Sequence, residues 1–262
     1  MRIWIATVAV ALVAMLVVAC GGGEGSKLTA EECLSGAPMN TLDADVTVEE
    51  VVDRIATAIT CRGFAFHLRS SGDTELGPDR SHQDQDIWID MDGNRSRLDW
   101  VNEALNNLGE VVEMAGTTIV RADGKYSGQT GFEGVGRTAA PICHGAGTEA
   151  ISLLIFCAGP SETLVTRIEL GASYRDRSAV ALATDGEVPT SNGTFSTTSR
   201  VFFDHERFFP MGVTIDGTID LEETYPVVSD IPYDIDFVPL DSLPADFFDP
   251  ASIGYVEREE ES

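Results

Sequence analysis

Short runs in which apolar and polar residues alternate constrain the fold of this chain more than any other feature. In the first run, Phe64, Phe66 and Leu68 are separated by single residues, which is the period of a half-buried β-strand. Asp-Gly is a preferred pair in two-residue hairpin loops, and it occurs at 92–93, 123–124, 185–186 and 216–217. The pattern predicts consecutive antiparallel hairpins. The expected strands are 64–69, 86–91, 97–100, 117–122, 125–129, 164–171, 178–184, 194–204, 211–215, 218–223 and 234–238.

One amphipathic helix is expected before the first strand. Thr47 and Glu50 form a capping-box pattern, in which the threonine caps the first turn and the glutamate reaches back. Apolar residues then recur at helical spacing, so the sequence predicts a helix over 48–61 with one apolar stripe. That stripe has to pack against the sheet.

Two later segments are less regular. Residues 101–112 fit a helix and a strand about equally, because helical apolar spacing there is followed by a β-branched run. Residues 137–161 contain a short stretch, 151–157, that is apolar on all sides. A short helix of that kind must be buried or cover an apolar cavity. We therefore expect residues 137–161 to form a flap.

The N-terminus has the features of a bacterial lipoprotein signal. Arg2 precedes the apolar run 3–18, and Ala19-Cys20 is followed by a Gly- and Ser-rich stretch. The run is short for a membrane span. We expect residues 1–19 to be removed as a signal peptide and Cys20 to be lipidated, with residues 20–44 as a tether and leading segment. Several acyl chains, palmitate among them, would hold the protein on a membrane.

Export determines how the other cysteines are interpreted. Cys33, Cys61, Cys143 and Cys157 remain, and an even number in an oxidising compartment indicates disulfides. Four cysteines allow three pairings, and we favour Cys33–Cys61 with Cys143–Cys157 because those loops are shorter. No Cys-x-x-Cys motif and no closely spaced histidine pair is present, so we expect no metal and no cofactor.

Charge and motifs exclude several functions. The chain has 262 residues and a net charge of −26, which opposes binding to nucleic acid and to anionic lipid. No nucleophile elbow, phosphate loop or calcium loop is present. The four histidines lie in unrelated contexts, and His67 and His205 are expected to be outward polar residues. We therefore expect no enzymatic activity.

An exported lipobox protein with one N-terminal helix, a long antiparallel sheet and a helical insertion resembles the LolA/LolB lipoprotein carriers and the LppX-type anchored lipoproteins. The residues that carry this resemblance lie at 92–97, 122–126, 202–210 and 240–250. The resemblance implies a mainly β, α+β fold: a strongly curved, unclosed half-barrel with a helical lid over residues 45–250. It also implies an apolar cavity that accepts acyl chains.

The predicted function combines this resemblance with the lipobox. We expect a lipid-anchored, extracytoplasmic monomer on the cell membrane or outer membrane that binds a lipid, for transfer or sensing, with 251–262 as an acidic tail. The alternative is an envelope regulator of the same fold that binds a basic protein and no lipid. The expected cavity residues are Phe64, Phe66, Leu68, Ile87, Ile89, Leu98, Trp100, Leu154, Met211, Val213 and Ile215.

Overall fold

Eleven strands make up most of the computed structural model, which describes residues 28–256 apart from 37–38, 40–41, 77–78, 106–109, 132–133, 144–148, 158–164, 191–192 and 221–222. The strands are β1 (Phe64–Leu76), β2 (Asp79–Asp90), β3 (Arg95–Leu105), β4 (Val111–Arg121), β5 (Gly124–Gln129), β6 (Gly136–Thr138), β7 (Val165–Tyr174), β8 (Arg177–Thr190), β9 (Gly193–Asp204), β10 (Pro210–Asp220) and β11 (Thr224–Pro239).

All eleven strands form one antiparallel sheet, in the order β6-β5-β4-β3-β2-β1-β11-β10-β9-β8-β7. The order consists of two meanders, β1–β6 and β7–β11. They are joined at the centre, where the first strand pairs with the last, as in the register Phe66↔Phe237. β6 and β7 lie at the two edges and do not pair with each other, so the sheet is not closed. The prediction of a mainly β fold with an unclosed antiparallel sheet is confirmed.

Two α-helices precede the sheet: α1 (Ala30–Leu34) and α2 (Val48–Ile59). The predicted helix is confirmed, and it ends two residues earlier than expected. The Thr47 hydroxyl accepts a hydrogen bond from the Glu50 backbone N–H at 3.2 Å, as an N-cap does. The Glu50 carboxylate pairs with Arg54 one turn later.

The ambiguous segment 101–112 is strand on both sides of a hairpin. β3 runs to Leu105 and β4 begins at Val111, and the two strands pair without interruption from Arg95↔Arg121 to Leu105↔Val111. Cross-strand pairing therefore decides a segment whose own residues favour neither state.

Two of the four predicted Asp-Gly turns are wrong. Gly186 and Gly217 lie inside β8 and β10, where they face Thr197 of β9 from its two sides. A Cβ on Gly217 would lie 2.2 Å from the Ser196 carbonyl oxygen, so glycine permits a close approach of two strands there rather than a turn. The strands continue past these glycines, with β8 and β9 paired up to Thr190↔Gly193 and β10 and β11 up to Asp220↔Thr224.

The other two Asp-Gly pairs do lie at hairpins, with different loops from those expected. β2 and β3 pair up to Asp90↔Arg95, which leaves a four-residue loop in which Asn94 has a φ of 45°. Asparagine tolerates this left-handed conformation better than most residues. In the β4–β5 hairpin the loop is 122–123, because Gly124 already pairs with Arg121.

After β11 the chain crosses the sheet on the side opposite the two α-helices. It contains two 3-10 helices, Leu240–Ser242 and Pro250–Ile253. Phe247 packs edge-on against Trp88 of β2, with ring centroids 5.1 Å apart, and Tyr255 against Tyr126 of β5 at 4.8 Å. Tyr255 lies within the predicted acidic tail, whose residues 257–262 are outside the described part of the chain.

Candidate functional site

The candidate site is the face of the sheet on which α2 lies, here called the inner face. On this face, two neighbouring cross-strand pairs of β1 and β2 are buried, with side chains at most 3% exposed: Phe66 with Ile89, and Leu68 with Ile87. The stripe of α2 that covers them consists of Val51, Val52, Ile55, Ala56 and Ile59. Burial of such residues is worth about 1.5–3 kcal/mol each, so helix and sheet hold each other.

Aromatic rings fill the centre of this face. The Phe66 ring lies 5.5 Å from that of Phe237, edge-on, and 6.5 Å from that of Phe209, stacked. Phe208 is fully buried and has a φ of 61°, which turns the loop after β9 back over the core. Phe208, Phe209 and Phe237 were not predicted to be site residues. Only the alternation along β11 could have pointed to Phe237.

The second cover is the predicted flap, whose described part forms a 3-10 helix, Glu149–Leu153, followed by a turn. Ile151, Leu154 and Ile155 are buried in the same core as α2. Disulfides join Cys143 to Cys157 and Cys33 to Cys61, which is the favoured pairing. The first bridge closes the flap on itself, and the second ties α1 to the C-terminal end of α2.

The flap is attached to the β2–β3 hairpin through Asn94. The Asn94 side-chain amide donates to the Glu149 carboxylate at 2.6 Å and accepts from the Ala150 backbone N–H at 3.0 Å. The hairpin itself is held by the buried carboxylate of Asp90, which accepts hydrogen bonds from the Gly93 backbone and the Arg95 guanidinium. No local sequence pattern indicates this contact, because it joins residues 55 positions apart.

A small apolar pocket lies where α2, the flap and β7–β9 meet. Its lining includes Val48 and Val52 of α2, Ile155 and Phe156 of the flap, and Leu182 of β8. Its volume is about 10 Å³, which is roughly the space of one water molecule. At this point the apolar face is therefore filled by its own covers.

The eleven predicted cavity residues do not all reach this core. Phe66, Leu68, Ile87, Ile89 and Leu154 are buried in it, and Phe64, Leu98 and Val213 pack against it while partly exposed. Trp100 and Ile215 are also partly buried, farther along the strands.

Met211 lies elsewhere, in a separate cluster with Tyr174 and Phe202. A β-bulge between Pro210 and Gly212 interrupts the alternation that would have put Met211 on the same face as Val213. We therefore exclude Met211 from the candidate site.

Ionisable groups lie mainly on the outer face, which is the side opposite α2. There the imidazole of His67 stacks on Trp88 with ring centroids 4.6 Å apart, and its Nε2 lies 2.8 Å from the Asp86 carboxylate. Burial raises the pKa of the Tyr174 phenol, and the hydrogen bond to Asp230 raises it further. Within the described residues no group of three or more His, Cys, Asp or Glu side chains could hold a metal ion.

Comparisons with known proteins give matches to solved structures at low sequence identity and low TM-score. No family model matches the chain, and no curated protein matches its sequence. A LolA superfamily protein from Nitrosomonas europaea is 12% identical with a TM-score of 0.33, and the alignment covers 78% of this chain and 97% of that one. A domain described as an outer membrane lipoprotein-sorting protein, from Vibrio parahaemolyticus, is 10% identical with a TM-score of 0.34 and the same coverage.

A third solved structure, the S-type phycobiliprotein lyase of Guillardia theta, is 11% identical with a TM-score of 0.23, covering 74% of this chain and 93% of that one. At these TM-scores the superpositions do not define a shared site. Cys20 lies outside the described residues, and no helix within them is long and apolar enough to cross a membrane.

Proposed function

We propose that this protein is an extracytoplasmic lipoprotein, anchored through Cys20, that binds an acyl chain between the inner face of its sheet and the cover formed by α2 and the flap. The observation that carries the proposal is the nature of that cover. Two elements that are not part of the sheet bury one continuous apolar surface. Each is tied at one end, α2 by the Cys33–Cys61 bridge and the flap by Asn94.

The N-terminal end of α2 and the C-terminal part of the flap, which lack these two attachments, both line the small pocket. Val48 begins α2, and Phe156 follows the 3-10 helix of the flap with 41% of its surface exposed. Because the pocket has room for only about one water molecule, an acyl chain enters when α2 or the flap moves outward. The ligand then replaces part of the cover against Leu68, Ile87 and their neighbours. The driving force is about 25 cal/mol per Å² of apolar surface removed from water.

Uptake of an uncharged fluorescent probe, 1-N-phenylnaphthylamine, tests this proposal. The exported mature chain with Cys20→Ser, which carries no acyl chains of its own, is titrated with the probe. Phe156→Asp places a carboxylate at the pocket and is expected to weaken uptake at least about tenfold, because a bound chain would have to pass or bury it.

The matched control is Val111→Asp. Val111 is an apolar residue of β4 that is 67% exposed and does not line the pocket. It is expected to leave uptake unchanged. No uptake by the unsubstituted chain, or equal loss in both variants, would contradict binding at this site.

An envelope regulator that binds a basic protein is the second candidate. It is favoured by the closed pocket together with the acidic outer face, where Asp84 and Asp86 of β2 and Asp234 and Asp236 of β11 lie on the two strands that flank β1. Binding of that kind should collapse between low and physiological salt, since exposed charges more than a Debye length apart are screened. Uptake of an uncharged probe should not depend on salt in this way.

A further inference from the structure

Charged side chains are almost confined to one face of the sheet. Strand register assigns each residue to the inner or the outer face, because alternate side chains point to opposite sides. Among the strand residues whose side chains the structure describes, every Asp, Glu, Lys and Arg lies on the outer face except Lys125 of β5. In a chain with 43 acidic residues, this leaves the inner face nearly without charge.

The inner face is apolar on one side and polar on the other. Its apolar rows lie under α2 and the flap. The next row toward the hairpin tips crosses four strands as Tyr233, Ser70, Gln85 and Trp100. We call these four residues the polar row. It borders directly on the apolar row that contains Leu68, since Ser70 and Leu68 are successive inward residues of β1.

The polar row offers hydrogen-bonding groups of both kinds and one flat aromatic ring. The Ser70 hydroxyl donates to Gln85 Oε1 at a long 3.4 Å, while the Gln85 side-chain amide carries two donors. Trp100 lies across Gly116 of β4, where a Cβ would come within 2.6 Å of Trp100 Cζ2. Apart from Ser70, which is buried, these side chains are partly exposed.

A neighbouring residue has an unused hydrogen-bonding atom. Asn102 follows Trp100 on the same face of β3, and its Oδ1 is buried with no hydrogen-bond partner among the described residues. Burial of a polar group without a partner costs free energy. A ligand whose donor displaces the atoms that cover Asn102 Oδ1 would recover that cost.

We propose that the polar row receives the head group of the bound amphiphile, and that this head group is uncharged and rich in hydroxyl or amide groups. The inference rests on the proposed function. With the chain under α2 and the flap, the head group lies over the polar row. A charged head group there would be partly desolvated without a counter-ion, which is costly for either sign. Hydroxyl and amide groups can instead pair with Gln85, Ser70 and Asn102.

A panel of amphiphiles with the same twelve-carbon chain tests the proposal on the Cys20→Ser mature chain. Monolauroylglycerol, laurate and dodecyltrimethylammonium are each titrated, below their critical micelle concentrations, against the protein with 1-N-phenylnaphthylamine bound, and displacement of the probe is measured. Monolauroylglycerol is expected to displace the probe at a concentration about tenfold lower than either ion. Equal or tighter binding of laurate or of the ammonium would overturn the proposal.

A charge placed in the polar row provides a second test. Gln85→Glu changes the charge at nearly constant size and is expected to weaken monolauroylglycerol about tenfold. Thr218→Glu adds the same charge on the outer face of β10 and is expected to have no effect. If Gln85→Glu binds monolauroylglycerol as the unsubstituted chain does, the polar row is not the head-group site. If the unsubstituted chain takes up no probe at all, the proposed function fails, and this inference fails with it.

Discussion

The attachment of the flap by Asn94 predicts a variant in which the cover opens more often. Asn94→Gly removes the hydrogen bond to the Glu149 carboxylate and the one from the Ala150 N–H, while glycine keeps the left-handed backbone at φ 45° without strain. A hydrogen bond to a charged group contributes about 1.5–3 kcal/mol and a neutral one about 0.5–1.5. Because the site is only half-buried, we take the lower part of the sum, about 2–3 kcal/mol.

That loss should appear as local opening of the flap rather than as global unfolding. Hydrogen exchange of the Leu154 and Ile155 amides, both of which donate to the Ile151 carbonyl, reports this opening. Exchange should accelerate roughly 30- to 150-fold in Asn94→Gly, since each 1.4 kcal/mol is worth tenfold. Amides of the central strands should be much less affected.

Asn94→Ala is the companion variant, because it loses the same two hydrogen bonds and adds about 1 kcal/mol of backbone strain at the hairpin. It should open the flap at least as much as Asn94→Gly and lower the melting temperature further. If flap amides in Asn94→Gly exchange within about twofold of the unsubstituted rate, a difference below about 0.5 kcal/mol, the flap is not held by Asn94 and the reasoning is refuted.

Three further predictions concern the sheet, the flap and one histidine. Gly217→Ala should lower the free energy of unfolding by more than about 2 kcal/mol in chemical denaturation, because the added Cβ would lie 2.2 Å from the Ser196 carbonyl oxygen. Gly186→Ala is the control and should change it by less than about 1 kcal/mol, because the nearest atom to its Cβ is 3.7 Å away. Similar effects of the two substitutions would contradict the close approach of the strands at Gly217. The double variant Cys143→Ser, Cys157→Ser should lose about 3 kcal/mol, as expected for a loop of 14 residues, and an unchanged denaturation midpoint would count against the bridge. A hydrogen bond to the Asp73 carboxylate raises the pKa of His82 in the folded protein, so the stabilisation by this ion pair is complete below the pKa of the unfolded state and is lost as the pH rises through the pKa of the folded state. The difference in free energy of unfolding between the unsubstituted chain and His82→Gln should therefore be larger at about pH 5.5 than at about pH 8.5. A smaller difference at pH 5.5 would exclude the ion pair.

Local patterns in the sequence were sufficient for the elements but not for their arrangement. The Thr47 cap and the apolar stripe of α2 follow from residues within one or two turns of helix, and the alternation around Phe66 follows from the period of a strand. The pairing of β1 with β11 joins residues more than 150 positions apart, and no local pattern encodes it. The sequence therefore predicted one meander where the structure has two.

The errors at the site have similar causes. Asp-Gly favours a turn only where the chain is free to reverse, and at Gly217 the neighbouring strand takes that position instead. Met211 left the predicted face because one bulge shifts the alternation by a residue. Whether the apolar face is filled or empty depends on how closely α2 and the flap pack against it, which residue types alone do not determine.

The central claim, that an acyl amphiphile binds under α2 and the flap, is tested most directly by what the protein carries. The exported Cys20→Ser mature chain, with both disulfides formed, is purified without detergent and extracted with organic solvent, and the extract is identified by mass spectrometry. The account predicts about one uncharged acylated molecule per chain, and less of it in Phe156→Asp than in Val111→Asp. An extract without lipid, together with no uptake of the uncharged probe, would contradict the account.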